Sequence, residues 1–134
     1  MNKFHLKIGA PKGTYREVDA DLLNVKTTDG YIGILAHHIP LAAGVDISEM
    51  HYIVDGQKYE FAIAGGFVYV SPENTVTLIA NVIESQDEID LKRAQEAEKR
   101  ARERLAKDGN GLDIKRAELA LKKALVRENV KNIK

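Results

Sequence analysis

Residues 89–101 read IDLKRAQEAEKRA, and residues 112–124 read LDIKRAELALKKA. At an offset of 23 positions the Asp, the Lys-Arg-Ala run and the later Ala, Lys and Ala coincide. Both copies carry a helical period. At about 100° per residue, Ala94, Ala97, Ala101 and Leu105 form one narrow apolar stripe, and Ala117, Ala120 and Ala124 form another. Arg93, Arg100 and Arg104 line up beside the first stripe, and Arg116, Lys123 and Arg127 repeat that cationic row beside the second. Two helices of about 20 residues separated by a short break predict an antiparallel helical hairpin over residues 85–134, and if the stripes face each other the cations border one seam. SQDE at 85–88 has the form of a capping box, Ser85 with Glu88, and predicts a first helix running from there to about Lys107. DGNG at 108–111 breaks it, with Gly109 or Gly111 suited to a left-handed cap, and a second helix follows to about Val130.

Residues 1–84 are built from different chemistry. All eight aromatics and all three prolines of the 134-residue chain lie there. KFHLKIG alternates, with Phe4, Leu6 and Ile8 on one face and Lys3, His5 and Lys7 on the other. HYIVDGQKYEFAIA sets Asp55-Gly56 between two β-rich runs, a hairpin signal because both residues tolerate positive φ. GGFVYVSPENTVTLIANVIE repeats the design around Ser71-Pro72-Glu73-Asn74. Ala10-Pro11-Lys12-Gly13 and Asp29-Gly30 mark further turns, and Gly65-Gly66 predicts a sharp corner with close backbone approach. The spacing predicts an antiparallel β-sandwich or barrel followed by the hairpin, an α+β chain of two domains, 1–84 and 85–134.

Acids and bases balance at 20 each, so no global field favours nucleic acid or an anionic membrane. The halves differ: residues 85–134 hold 14 Lys/Arg against 10 Asp/Glu. With no cysteine, disulfides and thiolate metal sites are excluded. No apolar run approaches the roughly 20 residues of a membrane span, and no signal-peptide pattern opens the sequence. His37 and His38 are adjacent, so in an extended segment they point opposite ways, while His5 and His51 are isolated in sequence. These read as turn or surface histidines. No nucleophile elbow, phosphate loop or zinc spacing is present, so no catalytic residue and no metal ligand is assigned.

For the twin cationic rows two readings stand open. One is a solvated, charge-rich face, with Glu96–Arg100 and Glu103–Lys107 as ordinary i,i+4 pairs and with Asp90 and Asp113 favoured near helix N-termini. The other is an anion site at the seam. An alanine seam buries little, about 0.8 kcal/mol per methyl-sized group, and the cations beside it repel, so an anion would steady the hairpin.

Three motifs carry a resemblance to the epsilon subunits of bacterial F-type rotary ATP synthases. TTDGYIGILAHHIPL at 27–41 matches that family's Thr-x-x-Gly-x-x-Gly-Ile-Leu-Pro-x-His-x-Pro-Leu, with Ala36 where proline is usual. AGGFVYV at 64–70 resembles Gly-Gly-Phe-x-Glu-Val, with Tyr69 in place of the acid. IDLKRA at 89–94 matches the Ile/Leu-Asp-x-x-Arg-Ala motif associated with ATP binding. The resemblance spans nearly the whole chain and implies a β-sandwich of about ten strands followed by two helices.

It also implies a role. Such a subunit performs no catalysis. Its sandwich joins the gamma subunit to the c-ring of the central rotor, peripherally at the cytoplasmic face of the cell membrane, and helps couple proton-driven rotation to ATP synthesis. Its hairpin is a mobile arm that, when extended into the alpha/beta catalytic subunits, inhibits ATP hydrolysis. ATP, accompanied by Mg2+, is the implied regulatory ligand, with no prosthetic group. Carried over by position, Glu84, Ile89, Asp90 and Ala94 stand near adenine. Arg93 and Arg100 stand at the phosphates, with Arg116 and Arg127 joining from the second helix. Lys123 stands where some ATP-binding members have Arg. A free-standing hydrolase would need a phosphate loop and a base, and a nucleic-acid module would need stacking aromatics that the hairpin lacks.

Overall fold

The structure, a computed structural model, describes residues 2–107 and 111–134, with Leu112 described in its backbone only. Eight strands come first: β1 (Phe4–Ala10), β2 (Gly13–Ala20), β3 (Leu22–Thr27), β4 (Gly30–Ile34), β5 (Leu41–Val54), β6 (Gln57–Val70), β7 (Thr75–Ala80) and β8 (Ile83–Ser85). Two helices follow, α1 (Leu91–Leu105) and α2 (Gly111–Lys131). The strand order is β2-β1-β7-β6-β5-β3-β4, with β8 added to β6.

The alternation read in KFHLKIG holds: Phe4, Leu6 and Ile8 are buried, while His5 and Lys7 face out. Among the described residues every pairing is antiparallel except β1 with β7. Asp55 and Gly56 take φ of 50° and 82°, closing the two-residue turn that sets Val54 opposite Gln57.

β5 and β6 are each 14 residues long and continue through the bend of the sheet. The first part of β6 pairs with β8, Phe61 opposite Ser85, and the last part pairs with β7, Gly66 opposite Ala80. The change of partner falls at Gly65-Gly66, with φ of 83° and 153°, where a Cβ on Gly66 would collide with the Ile79 carbonyl oxygen. The sheet thereby folds over on one core, in which Tyr52 stacks on Phe61 at 5.3 Å and Tyr15 meets Phe61 edge-on at 6.2 Å. Two strands serving both layers explain a count of eight where the resemblance implies about ten.

The hairpin differs at its start. Ser85 and Glu88 make the reciprocal bonds of a capping box, Ser85 N to Glu88 Oε1 at 2.9 Å and Glu88 N to Ser85 Oγ at 3.3 Å. They close a turn, not a helix, because Ser85 still pairs with Phe61 and the Gln86 N–H still donates to Glu60 O. The helix begins at Leu91, with Asp90 as N-cap accepting from Arg93 N at 3.1 Å. α1 ends at Leu105 and α2 at Lys131, close to the expected Lys107 and Val130. The break at Asp108, Gly109 and Asn110 lies outside the described residues, and Gly111 is the first residue of α2. The seam is narrower than the expected stripes: Ala94 and Ala101 on α1, and Ala117 and Ala124 on α2, are buried at a spacing of seven, while Ala97, Leu105 and Ala120 are half-buried.

Gly66→Ala should lower stability by about 2–4 kcal/mol in urea unfolding, the scale of a strained backbone with a steric clash. Gly33→Ala should cost far less, since a Cβ there would meet Leu22 Cδ1 at an ordinary 3.7 Å.

Candidate functional site

α2 lies across β5 and β6, and beneath it is a cavity of about 170 Å³. Ile47, Ala62, Val82 and Val126 give it apolar walls, and Glu84, Lys123 and Arg127 give it charge. Glu84 sits in the middle of β8 opposite Ala62, and Arg127 reaches down to it from α2. Arg127 Nε is 2.8 Å from Glu84 Oε1 but is not aligned with it, so the two form an ion pair while that buried N–H has no hydrogen-bond acceptor among the described residues.

Of the eight residues singled out in the sequence, Glu84 and Arg127 are brought together here. Ile89 is buried with Ala62 and Val130 in a small apolar cluster under the hairpin, against which Val126 packs. Ala94 is buried in the seam, and Asp90 is exposed and occupied as a helix cap. Arg93, Arg100 and Arg116 are exposed and make no side-chain hydrogen bond or ion pair among the described residues. An anion at the seam would therefore meet cations that are already unpaired.

Sequence reasoning missed the contacts that dock the hairpin. Lys122 Nζ bonds both oxygens of Asp46 on β5, at 3.1 and 3.2 Å, with Lys26 Nζ 4.0 Å from the same carboxylate. The Lys122 hydrogen bond is the largest cause holding Asp46 below the usual carboxyl range. Gln86 Nε2 donates to Val130 O at 2.9 Å and Ile133 O at 2.5 Å, and Lys131 Nζ donates back to Gln86 O at 3.1 Å. These caps satisfy carbonyls at the C-terminal end of α2. Among the described residues the i,i+4 ion pair that α1 forms is Glu98–Arg102 at 2.6 Å, not Glu96–Arg100 or Glu103–Lys107.

The histidines do not converge. His5 lies between Glu17 and Asp19, at 2.7 and 3.1 Å, and these bonds, the one to Asp19 foremost, raise its pKa. His51 is half-buried, and burial lowers its pKa. Among the described residues no three His, Asp or Glu side chains are grouped to hold a metal, and no helix is long and apolar enough to cross a membrane.

Two family models cover the chain, the ATP synthase delta/epsilon chain beta-sandwich domain over residues 3–86 and the delta/epsilon long alpha-helix domain over 87–132. The chain belongs to the ATP synthase delta/epsilon chain family. It is similar to the ATP synthase epsilon chain of Bacillus cytotoxicus, 40% identical over 134 residues and covering 100% of both chains. It is 39% identical to that of Desulfitobacterium hafniense strain Y51, covering 94% of each chain. The same fold occurs in the Euglena gracilis mitochondrial ATP synthase assembly of OSCP, F1 and c-ring, with a TM-score of 0.86 at 20% identity, covering 96% of this chain and 81% of that one. It occurs again in the central stalk and c-ring of the Tetrahymena thermophila enzyme, with a TM-score of 0.71 at 15% identity, covering 96% of each chain.

Asp46→Asn should loosen the docked hairpin by about 0.5 kcal/mol, the scale of a partly exposed ion pair. Because the folded Asp46 is depressed, its contribution is present above its unfolded pKa and is lost as pH falls through its lowered value. Urea unfolding at low and high salt checks this: the wild type should lose more stability with salt than the variant.

Proposed function

We propose that the chain is a non-catalytic central-stalk subunit of an ATP synthase, peripheral at the cytoplasmic face of the membrane, whose hairpin is an ATP-sensing arm that opposes ATP hydrolysis. The observation that carries this reading is the cavity under α2. It combines apolar walls, a carboxylate, the Lys123 ammonium and a buried guanidinium N–H that has no acceptor among the described residues.

These residues fit a nucleoside triphosphate. The apolar walls suit a flat base, and Glu84 accepts from its amino group once parted from Arg127. Arg127, Lys123, Arg93, Arg100 and Arg116 offer charge-assisted bonds to phosphate, with Mg2+ neutralising what remains. A ligand that needs both helices binds only the folded arm. It stabilises that state by about 2.7 kcal/mol at a hundredfold excess over Kd. When ATP falls, the docking contacts stand alone, and the arm extends from the sandwich toward the alpha/beta subunits. Hydrolysis is then blocked when wasting ATP is most harmful.

The sandwich supplies the rotor contacts. Phe67, Tyr69 and Ile79 form an exposed apolar patch on neighbouring strands β6 and β7, Phe67 opposite Ile79, and this is the face we assign to gamma. Leu35 and Ile39, 58% and 75% exposed in the β4–β5 loop, are assigned to the c-ring.

Calorimetry of the full chain with Mg·ATP should show binding without phosphate release. Arg127→Ala and Arg93→Ala should each weaken it by about 1–3 kcal/mol, the scale of a charged hydrogen bond. Unchanged affinity in both variants would sink the nucleotide site. In the assembled synthase, removing residues 91–134 should raise ATP hydrolysis, most clearly after ATP depletion. A complex indifferent to that removal would remove the inhibitory arm from the reading.

A further inference from the structure

The alanine seam contains one residue that does not belong there by polarity. On α2 the buried positions Ala117 and Ala124 are followed, one turn after Ala124, by Glu128. At about 100° per residue Glu128 lies within roughly 40° of Ala124, on the side of the seam away from the Arg116, Lys123 and Arg127 row. Glu98 of α1 occupies the corresponding place opposite the Arg93, Arg100 and Arg104 row. The hairpin thus has a cationic margin, from which Lys123 and Arg127 reach the cavity over the sandwich, and a pair of glutamates along the other margin.

Those glutamates face each other across the seam, each within side-chain hydrogen-bonding reach of the other. Glu128 Oε2 is buried and has no hydrogen-bond donor among the described residues. Glu98 is fixed by Arg102, whose Nε donates to its Oε2 at 2.6 Å. The other charged groups near Glu128 are taken elsewhere. On α2, Arg127 is on Glu84, Lys131 on the Gln86 carbonyl and Lys122 on Asp46. The strands under α2 and the segment after β8 bring Asp46 and Glu84, already paired, with Lys58 and Glu60 paired to each other at 3.1 Å; Glu49 and His51 line a separate pocket beside Ile133. Glu98 and Arg102 are the charges that act on Glu128. Two bare carboxylates have no donor between them, so their contact becomes a hydrogen bond only when one carries a proton.

We propose that Glu98 and Glu128 share one proton across the α1–α2 seam, so that closing the hairpin takes up a proton from water and opening it releases one. This adds a second control to the arm and rests on the reading that the arm opens. The shifts agree in direction: burial, then Glu98, raises Glu128, while the bond from Arg102 leads the causes that lower Glu98. The raised Glu128 stabilises the closed hairpin fully below its unfolded value of 4.5 and loses that contribution as pH rises through its folded value. The lowered Glu98 contributes above 4.5 and loses its contribution as pH falls through its folded value. Closure is therefore favoured most around and just above the ordinary carboxyl range, and acidification from neutral pH strengthens it.

The chain has no cysteine, so Lys92→Cys and Lys134→Cys place spin labels cleanly at the two ends of the hairpin in the full-length protein. Without nucleotide, the short-distance population of the otherwise wild-type chain should grow severalfold as the pH is lowered from neutral toward the ordinary carboxyl range. Glu128→Gln, whose amide donates to Glu98 at any pH, should hold the short distance throughout. Glu98→Gln should do the same by donating to ionised Glu128. A full wild-type response to pH in Glu128→Gln, or none in the wild type despite an opening on ATP removal, overturns the shared proton. If the labels stay close at every pH and every ATP level, the mobile-arm reading fails instead. The pair is then judged by urea unfolding, where the wild type must gain stability on acidification relative to Glu128→Gln or the proposal falls.

Discussion

The bend in β6 at Gly65-Gly66 is the constraint on which the rest of the structure hangs. Only there can the strand leave β8 for β7, because the neighbouring Ile79 carbonyl leaves no room for a side chain. The bend closes the sheet over its aromatic core and leaves Ala62, Ala64 and Glu84 on a face that α2 covers. Without it there is no sandwich, no platform for the hairpin and no cavity between them.

Against that rigid base the hairpin is held lightly. Its seam is built of alanines, so the two helices approach closely and bury little apolar area per residue. Docking adds a three-residue apolar cluster, Ala62, Ile89 and Val130, two ion pairs that are partly exposed, and the Gln86 bonds. Each is worth about a kcal/mol or less, so the proposed release of the arm needs only a small change in ligand or charge.

The strands and turns were legible because local chemistry decides them. Phe4, Leu6 and Ile8 alternate, and Asp55-Gly56 accepts the φ values its turn requires. The alanine stripes were legible for the same reason, since period and polarity agree. Ser85 and Glu88 misled because their bonds do form, while pairing of Ser85 with Phe61, a tertiary fact, delays the helix to Leu91. Asp46–Lys122 joins residues 76 apart and leaves no trace in sequence, as each is an ordinary surface charge. Of the candidate site, Glu84 and Arg127 meet in an ion pair. The exposed arginines cannot be placed on a ligand by pattern alone, since a solvated row and a phosphate-binding row read alike.

The segment between sheet and helix has a mechanical meaning. Tyr15 on β2 donates to Glu88, Gln86 N donates to Glu60 O, and the Ser85–Glu88 turn locks the same few residues. These bonds tie the root of the hairpin to the sandwich without help from α2. In the release proposed above, α1 would pivot at Asp90, whose extended backbone, φ −92° and ψ 107°, is the first point beyond the ties. The fulcrum of such a lever would stay fixed on the base, so the start of the stroke would be set by the sandwich and its reach by the length of the helices.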